Sequence, residues 1–218
     1  MSGGGNSIEM LSNQFTIHLP ELELTSIEKE YFINLYYELH PNNSASLMPK
    51  WRINTIPPDK LDYNLPFFEK LKTFCSKVNL EMGVWGFQIM WAGKTTQLFI
   101  HKDSIGYPLI PMRLSWKLIG PTIPLKWYKE LTDDPGFYKT NGVYGAWTVK
   151  NQKRYEEEAK VLELTPAYPC LLNTHEWHTI AQDKVVEEGL RVILSIAFKN
   201  NKPSEAELWN DVRNKLGV

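Results

Sequence analysis

The stretch LRVILSIAF, residues 190–198, carries one charge, Arg191, at the head of an otherwise apolar and β-prone run. Its length and composition predict a strand. Side chains alternate along a strand, so Arg191, Ile193, Ser195 and Ala197 share one face while Val192, Leu194, Ile196 and Phe198 share the other. Further runs of this kind begin at residue 84 and are separated by Gly, Pro and Asn turns: VWGFQIMW, TQLFIH, MRLSWKLI, PLKWYKEL, VYGAWTV, AKVLELT, CLLN and WHTIA. About eight or nine short strands with no helix between them predict an antiparallel barrel or double-sheet jelly roll rather than a parallel α/β sheet.

Outward from this core the texture is helical. Thr25 and Glu28 form a T-x-x-E capping box, followed by Ile27, Tyr31, Phe32, Leu35 and Tyr36 at helical spacing, and Pro41 ends the helix. A second helix is expected over 65–78, with Asn64 as its cap and Phe67, Phe68, Leu71, Phe74 and Cys75 on one face. A third is expected from Ser204, where S-E-A-E repeats the capping pattern after Pro203. With no repeat and no linker, residues 1–218 read as one domain: a flexible start (1–13), a helical support region (14–83), the jelly-roll core (84–199) and a C-terminal helix (200–218). The fold class is mainly β with flanking helices.

Composition narrows the function. The chain has 218 residues, 43% of them hydrophobic, with eight Trp, enough for a substantial core. A formal net charge of −1 without a block of Lys or Arg argues against a nucleic-acid binder. The acidic run at 156–158 reads as a solvated turn or strand edge. Cys75 and Cys170 are too few for a disulfide framework and too far apart for a structural zinc site, so both are expected reduced and buried. No signal-peptide core and no apolar stretch of ~18 residues is present. These features predict a cytoplasmic protein without membrane partners.

The run LFIHKDS, residues 98–104, ends in His101 and Asp103, two apart and on one face of a strand. A jelly roll brings distant strands to one interior, so a third metal ligand need not be near in sequence. The stretch NTHEWHTI, residues 173–180, offers His175 and His178. His178 begins the β-prone HTIA, whereas His175 lies in a polar approach, and the two should point oppositely on a regular strand. Two imidazoles and one carboxylate leave three positions of an octahedral iron open, the arrangement of non-haem Fe(II) oxygenases. Arg191 supplies an independent test: an inward guanidinium matches a distal carboxylate of 2-oxoglutarate in bidentate geometry. The alternative is that Arg191 lies at the strand mouth and pairs with Glu187 or Glu188.

His101-x-Asp103, then His178, then Arg191 resembles the Fe(II)/2-oxoglutarate-dependent dioxygenases. MRLSWKLIG, CLLNTHEWHTI and GLRVILSIAF together resemble the aspartyl/asparaginyl β-hydroxylase branch, including the proline-hydroxylase-like and phage-type oxygenases, over roughly residues 84–199. The resemblance implies a double-stranded β-helix, cupin-like core. It implies His101, Asp103 and His178 as ligands of Fe(II), with O₂ and 2-oxoglutarate as co-substrates. Arg191 would hold the distal carboxylate and Arg113 would lie near the C1 end. Ser115 and Ser195 are co-substrate candidates by parity, with Ser115 smaller than the polar residue found in some relatives. Asp103 sets the chain apart from the β-hydroxylase prototype, which lacks the carboxylate, and disfavours halogenation.

The resemblance implies a hydroxylase that acts on a C–H bond of a small-molecule, amino-acid-like or peptidyl substrate and releases succinate and CO₂. Trp116, Trp127, Tyr128 and Trp177 flank the site in sequence. Core packing is the default for such residues, with Trp116, Trp127 and Trp177 as candidate pocket walls. The stretch between Tyr128 and Arg154, with DDPG and TNGVYG, is expected as a substrate-covering loop or hairpin. Two rivals stand beside this reading: a cupin-like metalloenzyme without 2-oxoglutarate, and a non-catalytic jelly-roll module.

Overall fold

The computed structural model describes residues 11–41, 51–93, 99–103, 109–133, 137–139, 146–185, 187–199 and 205–218. The expected flexible start (residues 1–10 of it), the Ser204 cap and most of DDPG and TNGVYG lie outside them. The described strands are β1 (Thr16–His18), β2 (Trp51–Thr55), β3 (Glu81–Ala92), β4 (His101–Asp103), β5 (Leu109–Ile119) and β6 (Leu125–Tyr128). They continue with β7 (Phe137–Lys139), β8 (Ala146–Val149), β9 (Lys160–Leu164), β10 (Cys170–Asn173), β11 (Trp177–Ile180) and β12 (Gly189–Lys199). Helices α1 (Ser26–Leu39), α2 (Pro66–Val78) and α3 (Glu205–Leu216) complete the frame.

Two six-stranded antiparallel sheets result, ordered β1-β10-β5-β12-β3-β2 and β7-β8-β4-β11-β6-β9. The second order places β4 and β11, which bear the metal-capable residues, side by side at its centre. Setting aside the β7–β8 hairpin, the chain crosses from sheet to sheet in the order of a jelly roll: β3, β5, β10 and β12 in one, β4, β6, β9 and β11 in the other. The expected jelly roll with flanking helices is therefore the observed fold. One addition is needed. Region 14–83 is not only helical, because it contributes β1 and β2 as the two edges of the first sheet. Neither carries a long alternating pattern, and both form by pairing with an existing edge.

The capping box closes as expected. Thr25 N–H donates to Glu28 Oε2 at 2.8 Å, and the Thr25 hydroxyl accepts the Glu28 N–H at 3.3 Å. Ile27, however, is exposed, since the helix face that packs carries Phe32, Leu35 and Tyr36 instead. Helix α2 starts without Asn64 as a cap: Pro66 sits in its first turn and the Asn64 amide bonds Asp62. Its expected apolar face, Phe67, Phe68, Leu71, Phe74 and Cys75, is buried. Both cysteines are free and buried. The acidic run is a turn of π-helix, in which Glu157 and Glu158 face solvent and Glu156 instead receives bonds from Lys126 and Tyr128.

The main core lies between the helices and the outer face of the first sheet, where Leu114, Trp116, Leu194, Ile196 and Phe198 meet Phe32, Phe67, Phe68 and Trp209. Trp116 is central: its ring stacks 6.0 Å from Trp85, meets Phe67 edge-on at 5.1 Å, and its Nε1–H donates to Leu22 O at 2.8 Å. Trp116→Ala is expected to cost about 3–5 kcal/mol of folding free energy, read by chemical denaturation, through the cavity and the lost indole bond. Metal affinity of the remaining folded protein should not change, because Trp116 faces away from the inter-sheet space.

Candidate metal centre

His101 and His178 are direct cross-strand partners of β4 and β11, with ring centroids 4.4 Å apart. Asp103 follows His101 by one full pleat on the same face, and its Oδ1 lies 3.7 Å from His101 Nε2. One ligand atom from each of His101, Asp103 and His178 lies within 4.8 Å of the others. Both imidazoles are held alike. His101 Nδ1 lies 2.8 Å from Phe99 O, and His178 Nδ1 lies 2.8 Å from Glu176 O. A carbonyl only accepts, so each Nδ1 carries a proton, which leaves Nε2 of each ring as the atom that could ligate a metal in the neutral imidazole.

Electrostatics act in the same direction. Burial opposes ionisation of Asp103, but the Arg113 guanidinium, joined at low pH by the protonated forms of the two imidazoles, outweighs it and holds the carboxyl below its ordinary 3.8. Burial, then the neighbouring His101, pushes His178 down to about 4. A neutral imidazole beside a carboxylate is the ligand form of both groups. A His whose folded value lies below its unfolded 6.5 binds fewer protons when folded, so stability falls as pH drops from about 6.5 to about 4. Metal-free protein should therefore lose thermal stability across that window, and His178→Ala should flatten the loss. The contribution of Asp103 is lost only below 3.8, so calorimetry against pH separates the two.

The first sheet supplies the facing wall. Arg113, Ser115, Arg191, Ile193 and Ser195 occupy its inner face, opposite the helix-packed side chains. Arg113 reaches across and donates from Nε to Asp103 Oδ2 at 3.2 Å. A row of small side chains runs between register partners: Cys170 opposite Ser115, Ser115 opposite Ser195, Ser195 opposite Gly86. Ser195 donates to Gly86 O at 3.4 Å, and the buried Ser115 hydroxyl has no protein partner.

Arg191 is 2% exposed. Its Nη2 donates to the Tyr168 hydroxyl at 3.0 Å and its Nη1 approaches Met90 Sδ at 3.5 Å, while Nε has no partner. The alternative pairing with Glu187 or Glu188 does not form, since both carboxylates are exposed and no ion pair to Arg191 is seen among the described residues. A buried guanidinium with no carboxylate is costly and calls for an anion. Tyr168 carried no sequence signal: it is a lone tyrosine in the turn TPAYPC.

The tryptophans divide by face. Trp127 pairs with His178 in register, shares its face, is 1% exposed and leaves Nε1 without a partner, with Phe15 at 5.5 Å. Trp116 and Trp177 do not line this space, which corrects their assignment as pocket walls. Trp116 belongs to the helix-packed core, and Trp177 to the outer cluster of the second sheet with Tyr128, Tyr155 and Val149. The alternation that turns Ser115 and His178 inward turns their chain neighbours outward. His175 stands apart from the cluster, on the turn before β11, near Glu130.

Comparison with solved structures gives the fold an independent reading. SnoK, a non-haem α-ketoglutarate-dependent carbocyclase from nogalamycin biosynthesis, matches with a TM-score of 0.53 at 10% identity, covering 91% of this chain and 85% of that one. The epimerase SnoN, solved with Fe³⁺, α-ketoglutarate and nogalamycin RO, matches with a TM-score of 0.50 at 11% identity, covering 90% and 85%. HygX from Streptomyces hygroscopicus, solved with nickel and 2-oxoglutarate, matches with a TM-score of 0.49 at 12% identity, covering 93% and 89%. The chain shares the overall fold of SnoK and SnoN. No protein-family model matches the sequence, and no curated protein matches it.

Proposed function

We propose that this protein is an Fe(II)- and 2-oxoglutarate-dependent oxygenase. The observation that carries the reading is the pairing of two features in one inter-sheet space. Three ligand atoms converge from His101, Asp103 and His178. On the facing sheet, a buried Arg191 has an orphaned Nε and no acidic partner among the described residues. The donor set fits iron(II): two neutral imidazole nitrogens and one carboxylate hold it without filling its coordination sphere. When bound, iron(II) with 2-oxoglutarate and O₂ supplies oxidative decarboxylation to succinate and CO₂ together with oxidation of a C–H bond.

The protein's part is binding and orientation. The carbonyls of Phe99 and Glu176 keep both imidazoles in the ligand tautomer. Arg191 and the Tyr168 hydroxyl would bind the distal carboxylate, and the orphaned Ser115 hydroxyl on the same sheet face would be free to bond the co-substrate. Trp127, buried in register with His178, would keep water from that side of the ligand.

The outcome we propose at the substrate carbon is hydroxylation, on a small-molecule or amino-acid-like substrate. SnoK and SnoN, named a carbocyclase and an epimerase, put other outcomes on the same fold, so product mass decides this point. A cytoplasmic location accords with two free buried cysteines. Among the described residues no helix is long and apolar enough to cross a membrane.

The test is direct. Purified protein with Fe(II) and 2-oxoglutarate should show a weak visible charge-transfer band under anaerobic conditions. In air, with amino acids, peptides and small molecules as candidates, it should release succinate. Metal binding without any response to 2-oxoglutarate would favour a cupin-like enzyme of other chemistry. No bound metal at all would leave a binding module.

A further inference from the structure

We propose that Arg113 is a positioning residue that fixes Asp103 as a one-oxygen metal ligand; the inference rests on the iron reading above. The two carboxylate oxygens of Asp103 have different surroundings. Oδ1 is the atom 3.7 Å from His101 Nε2, on the side of the imidazole ligands. Oδ2 accepts the Arg113 Nε–H at 3.2 Å. The torsion that swings an aspartate carboxylate is soft, so without a partner the two oxygens exchange readily. With Oδ2 held, Oδ1 is the oxygen left on the His101 side.

The hold is stiff because it comes from the other sheet. Arg113 sits within β5, fixed in register against Leu172 of β10 and Ala197 of β12, and its side chain is 6% exposed. The Asp103 backbone is tied separately, its N–H donating to Thr174 O at 2.9 Å, while Thr174 N–H donates to Pro111 O at 3.1 Å. Backbone and carboxylate are thus pinned separately, the one through Thr174 and the other through Arg113, and both ties lead back to β5. The chemical consequence concerns coordination number. A carboxylate binding through both oxygens takes an extra position, whereas a bidentate 2-oxo acid and O₂ together need three. Arg113 would keep that third position open.

This differs from a contact between Arg113 and the C1 end of 2-oxoglutarate, and metal binding without co-substrate separates the two. Co(II) is titrated into the metal-free full chain in the absence of 2-oxoglutarate, followed by visible absorption and calorimetry, for wild type, Arg113→Ala and Arg113→Lys. Arg113→Ala should weaken Co(II) binding about tenfold or more and change the absorption bands, the scale seen when a partner of a metal ligand is removed. Arg113→Lys keeps the charge but loses the planar fork, and should weaken binding about threefold. A thermal scan of each variant shows whether stability alone has moved.

Wild-type affinity and bands in folded Arg113→Ala, or in Arg113→Lys if the alanine variant does not fold, would overturn the proposal. A defect that emerges only when 2-oxoglutarate is titrated into the Co(II) protein also overturns it, assigning Arg113 to the co-substrate. Failure of the wild type to bind Co(II) brings down the iron reading as well, a result distinct from either variant outcome.

Discussion

Alanine at His178 is expected to abolish turnover of 2-oxoglutarate to succinate, a loss of roughly a thousandfold or more, on the scale a metal centre contributes. His178 supplies one of three ligand atoms, and no other imidazole among the described residues joins His101 and Asp103. Two ligands cannot hold a divalent ion against water at micromolar metal, so binding and turnover should disappear together. Asp103→Ala should do the same, and in addition leave Arg113 without its carboxylate. His175→Ala is the control: it lies three residues away on the turn before the strand, outside the cluster, and should turn over like wild type. Succinate release and Co(II) titration on all three variants decide the matter. Loss in His175→Ala with retention in His178→Ala would reassign the ligand.

Methionine at Arg191 is expected to weaken 2-oxoglutarate binding to the metal-loaded protein about a hundredfold or more, as when one partner of a buried charge pair is removed. The same substitution should leave the metal-free protein as stable as wild type or more so. In the absence of an anion Arg191 is a buried guanidinium whose contacts are a tyrosine hydroxyl and a thioether, with Nε orphaned. Opposite signs on stability and affinity distinguish a functional arginine from a structural one. In calorimetry, 2-oxoglutarate should raise the melting temperature of the wild type and leave that of Arg191→Met where it was. Tyr168→Phe removes one hydroxyl from the same carboxylate and should cost about tenfold. Unchanged 2-oxoglutarate affinity in Arg191→Met would move the co-substrate elsewhere.

Much of this frame was legible along the chain because the signals are local. Strand alternation in 190–198 separated Arg191 and Ser195 from Leu194 and Ile196, and the observed core respects that division. The Thr25–Glu28 box involves atoms three residues apart and formed as written. His101, Asp103 and Arg191 stood out as polar groups in apolar strands. Even the misassigned Trp116 and Trp177 were decided by local information: each neighbours an inward residue and must point outward.

What tertiary structure alone decided is how the two sheets face each other. The edge strands β1 and β2 are too short for a pattern and exist only through pairing with β10 and β3. The choice of Asp103 as Arg113's partner, and of Tyr168 as that of Arg191, depends on distances across the inter-sheet gap and from a turn to a strand. A period of two residues tells a side chain which face to take. It carries no information about what stands several ångströms beyond that face, which is set by the packing of all the strands together.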